Sequence, residues 1–297
     1  MFKSLVQLME EAQQKQTKKM AIAGADDSVV LKSIKMAHEN NLIQAVLVGD
    51  EKRIKEIASD IGFNLTNAEI INETNPKEMA RKAVDLAVQK KVDMIMKGMI
   101  STSVILKAIL ESDSIAGNSL LSHVAALQPL NFEKLILVTD VAMNINPTLM
   151  QKAMITQNAI KVAKALDCDK PKVAILSAVE MVNEKMPSTV DAAILSKMAD
   201  RGQIKGAIVD GPLALDNAIS LESAQHKGIK SEVAGDADIL VVPNIETGNA
   251  LYKAIVFFCK SSMAGVIVGA KFPVVLTSRA DSEESKLYSV ALGVLLS

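Results

Sequence analysis

Ser278 and Arg279 stand side by side directly after an apolar run, Pro273-Val274-Val275-Leu276. An arginine offers a planar fork of donors that fits phosphate oxygens, and it keeps its charge at any working pH. A neighbouring hydroxyl and the amides of a following helix would complete an anion site. Asp281 follows closely and is either the N-cap of that helix or a base beside the anion. The alternative for the whole segment is a solvated loop.

A second candidate anion site follows another apolar run, at residues 92–96. Its members are Lys97, Gly98, Ser101, Thr102 and Lys107. The glycine permits a tight turn, and the hydroxyls precede a predicted helix over 103–111 whose amides suit an anion. Helix capping alone would also explain the hydroxyls, and the second lysine either extends into solvent or reaches the cleft.

Two more polar segments follow strand-like runs. Thr247, Gly248 and Asn249 stand at the start of a predicted helix over 249–260, as a further anion site or as an N-cap with a glycine for backbone clearance. Asp210 begins the loop Asp210-Gly211-Pro212 after the run 206–209. An acid at the carboxyl end of a strand can orient an arginine, accept a proton, or simply cap the turn.

Metal and dinucleotide sites are not predicted. The three histidines, His38, His123 and His226, have no metal-ligand spacing. The spacing Gly-x-Gly-x-x-Gly of dinucleotide-binding folds is missing, and so is the P-loop spacing Gly-x4-Gly-Lys-[ST]. We therefore expect neither a metal nor a bound cofactor.

The composition excludes other classes of partner. The net charge is -1, aromatic residues make up 3% and there is no Trp, so a nucleic-acid surface is not expected. No apolar run approaches the roughly 20 residues of a membrane helix, and residues 1–19 do not resemble a signal peptide, so we expect a cytoplasmic protein away from membranes. Cys259 follows an apolar pattern that ends at Phe258 and is expected in the core.

The elements that must position these residues alternate along the chain. Short apolar runs are followed by helical periods almost from residue 20 onwards, which predicts βαβ units and parallel sheets. Within 206–281 the pattern of strand, polar loop and helix occurs three times, and all three loops are predicted at the carboxyl ends of their strands, where ligands bind in such sheets. The pattern is interrupted after residue 117, and we predict a domain boundary near 128–133.

Several separated blocks resemble the phosphotransacylase family, which comprises phosphate acetyltransferases and phosphate butyryltransferases. The most specific blocks, in chain order, are Asp140–Thr148, Val209–Asp216, Val233–Pro243 and Thr247–Lys253. The resemblance spans about residues 90–281. It implies an α/β fold of two three-layer αβα domains with mainly parallel sheets and an interdomain cleft, as in isocitrate dehydrogenase-like architectures. The domains would be 1–130 plus 282–297, and 131–281.

The same resemblance implies the reaction. The family transfers an acyl group between coenzyme A and inorganic phosphate as substrates, without a metal or a covalent acyl-enzyme, and is commonly a homodimer or a higher homo-oligomer. The butyryl branch is favoured by the segments 97–102 and 121–123. The acetyl branch has Arg at the position of Lys107 and Cys at the position of Val141.

The family's Ser-Arg pair falls on Ser278 and Arg279, whereas its catalytic aspartate position falls on Ser285. The base role is therefore assigned to Asp281, with Asp210 as second choice. Phosphate acetyltransferase is the nearest alternative activity. An NAD-linked decarboxylating dehydrogenase and a non-catalytic acyl-CoA-binding protein are alternatives from other classes.

Overall fold

Strand-forming runs and helical periods build two compact units. The computed structural model describes residues 1–115, 119–130, 132–277 and 281–297. The first unit contains Val6–Ser119 and Ala264–Ser297, and the second unit contains Met1–Leu5 and Leu120–Met263. The sequence analysis places the domain boundaries after residues 130 and 281 instead, and that domain assignment stays a prediction.

Polar side chains cap several of the helices. Asp27, Asn75 and Ser101 each stand before a helix, and each side chain accepts a backbone N–H of the first turn. The helices are α1 Leu5–Gln13, α2 Ser28–Glu39, α3 Glu51–Asp60, α4 Pro76–Val88, α5 Thr102–Leu110, α6 Leu149–Ala165, α7 Pro187–Asp200, α8 Leu215–Ile219, α9 Leu221–His226, α10 Ile245–Phe258 and α11 Glu283–Leu296.

The strands are short and mostly buried on both faces. They are β1 Lys18–Ala23, β2 Ile43–Gly49, β3 Glu69–Asn72, β4 Met94–Lys97, β5 Ser122–Leu127, β6 Ile136–Thr139, β7 Lys172–Leu176, β8 Ile208–Leu213, β9 Ile239–Val241, β10 Met263–Val268 and β11 Val274–Val275. Continuous apolar runs suit this environment, because a strand that is covered on both faces needs no polar face.

In the first unit the strand order is β3-β2-β1-β4-β11-β10. The pairs are parallel except β10 with β11, so β1, β4 and β11 end at the same edge. The chain moves from β1 outward to β2 and β3, then returns to place β4 on the other side of β1. Such a reversal of strand order opens a crevice beyond the carboxyl ends of the two strands, where ligands bind in α/β folds.

In the second unit the strand order is β5-β6-β9-β7-β8. The β5–β6 pair is antiparallel and the others are parallel. The core of this unit includes Val138, Ala174 and Leu240 from the inner strands. The predicted α/β class with mainly parallel sheets is confirmed, and a cleft between domains stays a prediction.

The three repeated segments do not lie in one unit. Strands β8 and β9 belong to the second unit, whereas β11 pairs with β4 in the first. The predicted loop at Asp210 is wrong, because β8 continues through it to Leu213 and Asp210 pairs with Ala174 of β7. A register shift between β7 and β8 after Ala174 accommodates Gly211 and Pro212 within the strand. β8 is also the last strand in the order, and an edge strand tolerates a proline, which has no N–H to donate.

Helix α10 also differs from its prediction. It begins at Ile245 rather than near 249, because Asn244 accepts the amide of Thr247 (3.0 Å) and caps it. The predicted burial at its end is wrong. Phe258 is 89% exposed and Cys259 is exposed. The helix packs against the core through earlier residues, the last of which is Val256.

Candidate functional site

A cavity of about 120 Å³ lies beyond the carboxyl ends of β1 and β4 in the first unit. Its wall includes Asp27 from the loop after β1, Lys97 and Gly98 from the end of β4, Thr277 after β11 and Lys286 from α11. Thus two lysines and a threonine line one small pocket at the carboxyl edge of this sheet. This arrangement suits a small anion.

Two glycines let the backbone segments after β1 and β4 touch. The amide of Gly98 donates to Ala23 O (2.8 Å), and the amide of Met99 donates to Gly24 O (2.7 Å). A Cβ on Gly98 would overlap the carbonyl oxygen of Gly24. At position 98 glycine is needed because the backbones approach closely, not because of a positive φ. Gly24, in contrast, has a φ of +81°.

Lys97, the last residue of β4, lies on the cavity wall. Its ammonium donates to the carbonyl oxygens of Gly98 (3.1 Å) and Ile100 (3.4 Å). These bonds turn the side chain towards its own loop and hold the charge at the carboxyl edge of the sheet.

Lys286 was missed by the sequence reasoning. It is 4% exposed, lines the same cavity, and donates from Nζ to the carbonyl oxygen of Asp281 (2.6 Å). The available signal was a lone cation in an otherwise apolar stretch of the last helix, which is buried from Ser285 to Val294. Ser282 rather than Asp281 is the N-cap of α11, because Ser282 Oγ accepts the amide of Ser285 (3.1 Å).

Three residues of the second candidate anion site, Ser101, Thr102 and Lys107, are not among the described residues that line this cavity. Ser101 caps α5 by accepting the amide of Val104 (3.4 Å), and Thr102 is the exposed first residue of that helix. Lys107 is 71% exposed and lies 3.6 Å from Glu111, in a separate depression between α4 and α5. Capping therefore accounts for Ser101 and surface ion pairing for Lys107 in this structure.

In the second unit a buried carboxylate organises the loop after β6. Asp140 is 2% exposed, and its oxygens accept the amides of Ala142 (2.9 Å), Met143 (2.9 Å) and Asn144 (3.2 Å). The side-chain amide of Asn144 donates to the same carboxylate (2.5 Å). A carboxylate with this many donors fixes the backbone around it.

The segment 247–249 packs against this loop. A Cβ on Gly248 would overlap the carbonyl oxygen of Asp140, so a side chain has no room there. Asn249 Nδ2 donates to Val141 O (3.1 Å), and Thr247 Oγ1 donates to the capping Asn244 Oδ1 (2.7 Å). Gly248 and Asn249 thus join the start of α10 to the Asp140 loop, whereas Thr247 bonds to the N-cap of its own helix. Asp210, half-buried in β8, accepts the amide of Gly211 (2.8 Å).

His123 lies in β5 beside Asp140 and is 5% exposed. Burial lowers the pKa of His123 below its ordinary value of 6.5, and the charge of Asp140 opposes this shift. Within the described residues Nδ1 of His123 has no hydrogen-bond partner. The imidazole is therefore neutral near pH 7.

A family model described as "Phosphate acetyl/butaryl transferase" matches residues 4–93 and 77–294. The chain belongs to the phosphate acetyl/butaryl transferase family. A phosphate butyryltransferase of Clostridium acetobutylicum is 48% identical over 297 residues, which are all of this chain and 99% of the relative. A phosphate acetyltransferase of Thermotoga maritima is 44% identical over 94% of this chain and 95% of the relative.

A solved structure agrees with this family assignment. The branched-chain phosphotransacylase from Enterococcus faecalis V583 is 36% identical, has a TM-score of 0.84, and matches 94% of this chain and 99% of its own. The predicted family and the predicted phosphate acyltransferase activity are confirmed. The protein is an acyltransferase enzyme, which sets aside the dehydrogenase and the non-catalytic binding protein.

Ser278 and Arg279 lie outside the described residues, and Thr277, which is buried, is the last described residue before them. The family's aspartate position, Ser285, is a buried serine near the start of α11. The catalytic roles of Ser278, Arg279 and Asp281 stay predictions.

Residues 1–115, 119–130, 132–277 and 281–297 contain no group of three His, Cys, Asp or Glu side chains that could hold a metal ion. In those same ranges no helix combines the length and apolarity required to cross a bilayer.

We expect the stability of the protein to fall as the pH drops below 6.5, because of His123. The unfolded chain takes up a proton near pH 6.5, whereas the buried imidazole does so only at a lower pH. The contribution of His123 is thus present above pH 6.5 and is lost as the pH falls towards the folded-state pKa. Urea unfolding at several pH values between 5.5 and 7.5 measures the slope.

The His123→Gln variant should show a flatter slope in this range, whatever its absolute stability. His226, which is exposed, provides the matched control, and His226→Gln should follow the wild-type slope. Equal slopes for the wild type and His123→Gln would contradict the assignment.

Proposed function

We propose that this protein transfers a short-chain acyl group, butyryl in preference, between coenzyme A and inorganic phosphate, giving acyl phosphate and free coenzyme A reversibly. One observation carries the choice of acyl group. The similarity to a phosphate butyryltransferase extends over the full chain at 48% identity. No bound cofactor is part of the proposal, and both coenzyme A and phosphate act as substrates.

The proposed reaction needs a thiolate, a positioned carbonyl and a site for the phosphate. Towards acyl-CoA, a carboxylate takes the thiol proton, the thiolate attacks the acyl carbonyl, and the bond to phosphate breaks. Asp281 is our first choice for this base and Asp210 the second. Arg279 and Ser278 would hold the leaving phosphate, whose negative charge grows as the bond breaks.

The pocket of the first unit supports the phosphate part of this proposal. Lys97 and Gly98 contribute a cation and a backbone segment at the carboxyl edge of the sheet, next to Thr277. Substrate-binding roles for Ser101, Thr102 and Lys107, and for Thr247, Gly248 and Asn249, stay predictions. In the described structure Ser101 caps α5 and Lys107 lies beside Glu111, while Thr247 and Asn249 bond to Asn244 and to Val141 O.

A panel of acyl-CoAs tests the function. Thiol release in the presence of inorganic phosphate should give the highest kcat/KM with butyryl-CoA or a branched four- or five-carbon acyl-CoA. Acetyl-CoA should be poorer by at least about tenfold, because each methylene in an apolar pocket contributes about 1–3 kcal/mol. The control omits phosphate and should release no thiol.

Phosphate acetyltransferase is the second candidate, favoured by the relative from Thermotoga maritima at 44% identity. A higher kcat/KM with acetyl-CoA than with butyryl-CoA would select it. No thiol release with any member of the panel would refute phosphate-dependent acyl transfer.

We further propose that the enzyme is a homodimer or a higher homo-oligomer, acts in the cytoplasm, and has neither nucleic-acid nor membrane partners. The end of α10 supports self-association, since Phe257 is 65% exposed and Phe258 is 89% exposed. Adjacent exposed aromatic side chains are typical of surfaces that another chain covers. A single-chain mass in sedimentation equilibrium at micromolar concentration would contradict the oligomer.

A further inference from the structure

Two lysines of the described structure are almost fully buried, and they differ in their partners. Lys152 is 6% exposed and pairs with Asp191 through a 2.7 Å contact. Lys286 is 4% exposed, and among the described residues no carboxylate lies within 4 Å of its Nζ. A buried ammonium without a counter-charge is costly, so a site of this kind calls for an anion from outside the chain.

The one hydrogen bond recorded for Lys286 Nζ within the described ranges goes to Asp281 O, at 2.6 Å. An ammonium has three protons to donate, and this bond orients the side chain while neutralising none of its charge. The same side chain forms part of the cavity wall. The cavity is thus the place from which an anion can reach Lys286.

The charges around the cavity favour an anion. Among the residues that the structure describes, Lys97 and Lys286 line it together with one acid, Asp27. The Oδ1 atom of Asp27 already accepts the amides of Val29 (3.0 Å) and Val30 (3.1 Å) at the start of α2. The described wall therefore carries two positive charges, from Lys97 and Lys286, and one negative charge, on Asp27, which already caps α2.

The size of the cavity selects the kind of anion. About 120 Å³ is well below the roughly 300–1,000 Å³ of pockets that enclose drug-sized ligands, so a nucleotide does not fit within it. A tetrahedral phosphate does. Thr277, which is 6% exposed, adds a wall residue directly before the predicted Ser278-Arg279 pair.

We propose that Lys286 binds the phosphoryl group of the substrate, which is inorganic phosphate in one direction and acyl phosphate in the other. The assignment rests on the proposed function and adds to it a residue that neither the family motif nor the sequence analysis includes. In a buried pocket the ammonium interacts more strongly with phosphate than it would in water. Lys286 Nζ also donates to the Asp281 carbonyl (2.6 Å), so phosphate binding and the position of the Asp281 backbone are coupled through one side chain.

Kinetics of the Lys286→Met variant test the proposal. Methionine is apolar and of similar length, and replacing a buried ion by an apolar residue is compatible with folding. Thiol release should show a KM for phosphate raised at least about tenfold, with the KM for butyryl-CoA within about twofold of wild type. Lys286→Arg should recover part of the phosphate affinity. Lys52→Gln, an exposed lysine of the first unit, is the matched control and should behave as wild type.

A second measurement does not depend on turnover. In a phosphate-free buffer, added inorganic phosphate should raise the Tm of the wild type and of Lys52→Gln, and should leave the Tm of Lys286→Met unchanged. The absence of a phosphate effect on wild-type Tm overturns the anion site, and so does equal protection of Lys286→Met.

The kinetic outcomes separate the competing explanations. An equal rise of both KM values, or a rise for butyryl-CoA alone, overturns the assignment in favour of a coenzyme A phosphate. A wild-type chain that is protected by phosphate but releases no thiol refutes the proposed function while leaving the site at Lys286 supported. If Lys286→Met does not fold, Lys286→Gln and Lys286→Arg are measured in the same way, and wild-type phosphate affinity in Lys286→Gln overturns the proposal.

Discussion

Replacing Gly98 by alanine is expected to abolish most of the acyltransferase activity and to destabilise the first unit by about 3 kcal/mol or more. The new Cβ would overlap the carbonyl oxygen of Gly24, which is backbone and cannot rotate away. Overpacking in a rigid site costs about 1–3 kcal/mol, and a backbone obstacle places this substitution at the upper end. The strands β1 and β4 would have to separate, which breaks the bonds from Gly98 and Met99 that shape the cavity.

Urea unfolding and thiol release on the same preparations measure the two effects. Gly62→Ala is the matched control, because Gly62 belongs to the same unit and a Cβ there meets only a lysine Nζ at 3.9 Å. Its positive φ of 64° should cost about 1–2 kcal/mol, with activity retained. A Gly98→Ala variant that is as stable and as active as Gly62→Ala would refute the close approach of the two turns.

The fold class could be predicted because it depends on a regular local pattern. Apolar runs of strand length alternate with helical periods, and parallel sheets are the structure in which such runs are buried on both faces. The position of Lys97 and Gly98 at the carboxyl end of β4 follows from the same pattern. This part of the site needed only the order of elements.

Pairing between distant strands could not be predicted from local pattern. β11 has two residues and lies beside β4, although the chain between them is long and passes through the second unit. The repeated pattern of strand, loop and helix within 206–281 suggested instead that β11 lies in the same sheet as β8 and β9. In the same way, Gly211-Pro212 is an ordinary turn signal, yet a strand at the end of the order accommodates it.

Lys286 was missed because burial of a helix on all sides is a tertiary property. A lysine in the first turns of a terminal helix is usually a solvated residue, and the family motif directs attention to position 285 instead. The structure shows the whole stretch from Ser285 to Val294 buried, with Gly293 close to Met94 and Val275. Only this packing turns Lys286 from a surface charge into a cation that needs an anion.

Asp140→Ala should destabilise the second unit by about 3 kcal/mol or more. The carboxylate accepts three consecutive backbone amides and the side-chain amide of Asn144. Removing it takes this acceptor from the three backbone amides, and each polar group left unsatisfied away from water costs about 1–3 kcal/mol. The side-chain amide of Asn144 keeps its bond to Leu121 O (2.9 Å). The loop also carries the carbonyl of Val141, which Asn249 of α10 contacts, so the start of α10 should loosen with it.

Two variants locate the origin of this effect. Asp140→Asn keeps one acceptor oxygen and should lose about half as much stability, because it retains part of the hydrogen bonding without the charge. Asp200→Ala removes an exposed carboxylate that pairs with Lys197 at 2.6 Å and should cost less than about 1 kcal/mol. Urea unfolding of the four proteins gives the comparison. If Asp140→Ala were no less stable than Asp200→Ala, the loop after β6 would be held by its packing alone, and the family block that begins at Asp140 would need a role in the chemistry instead.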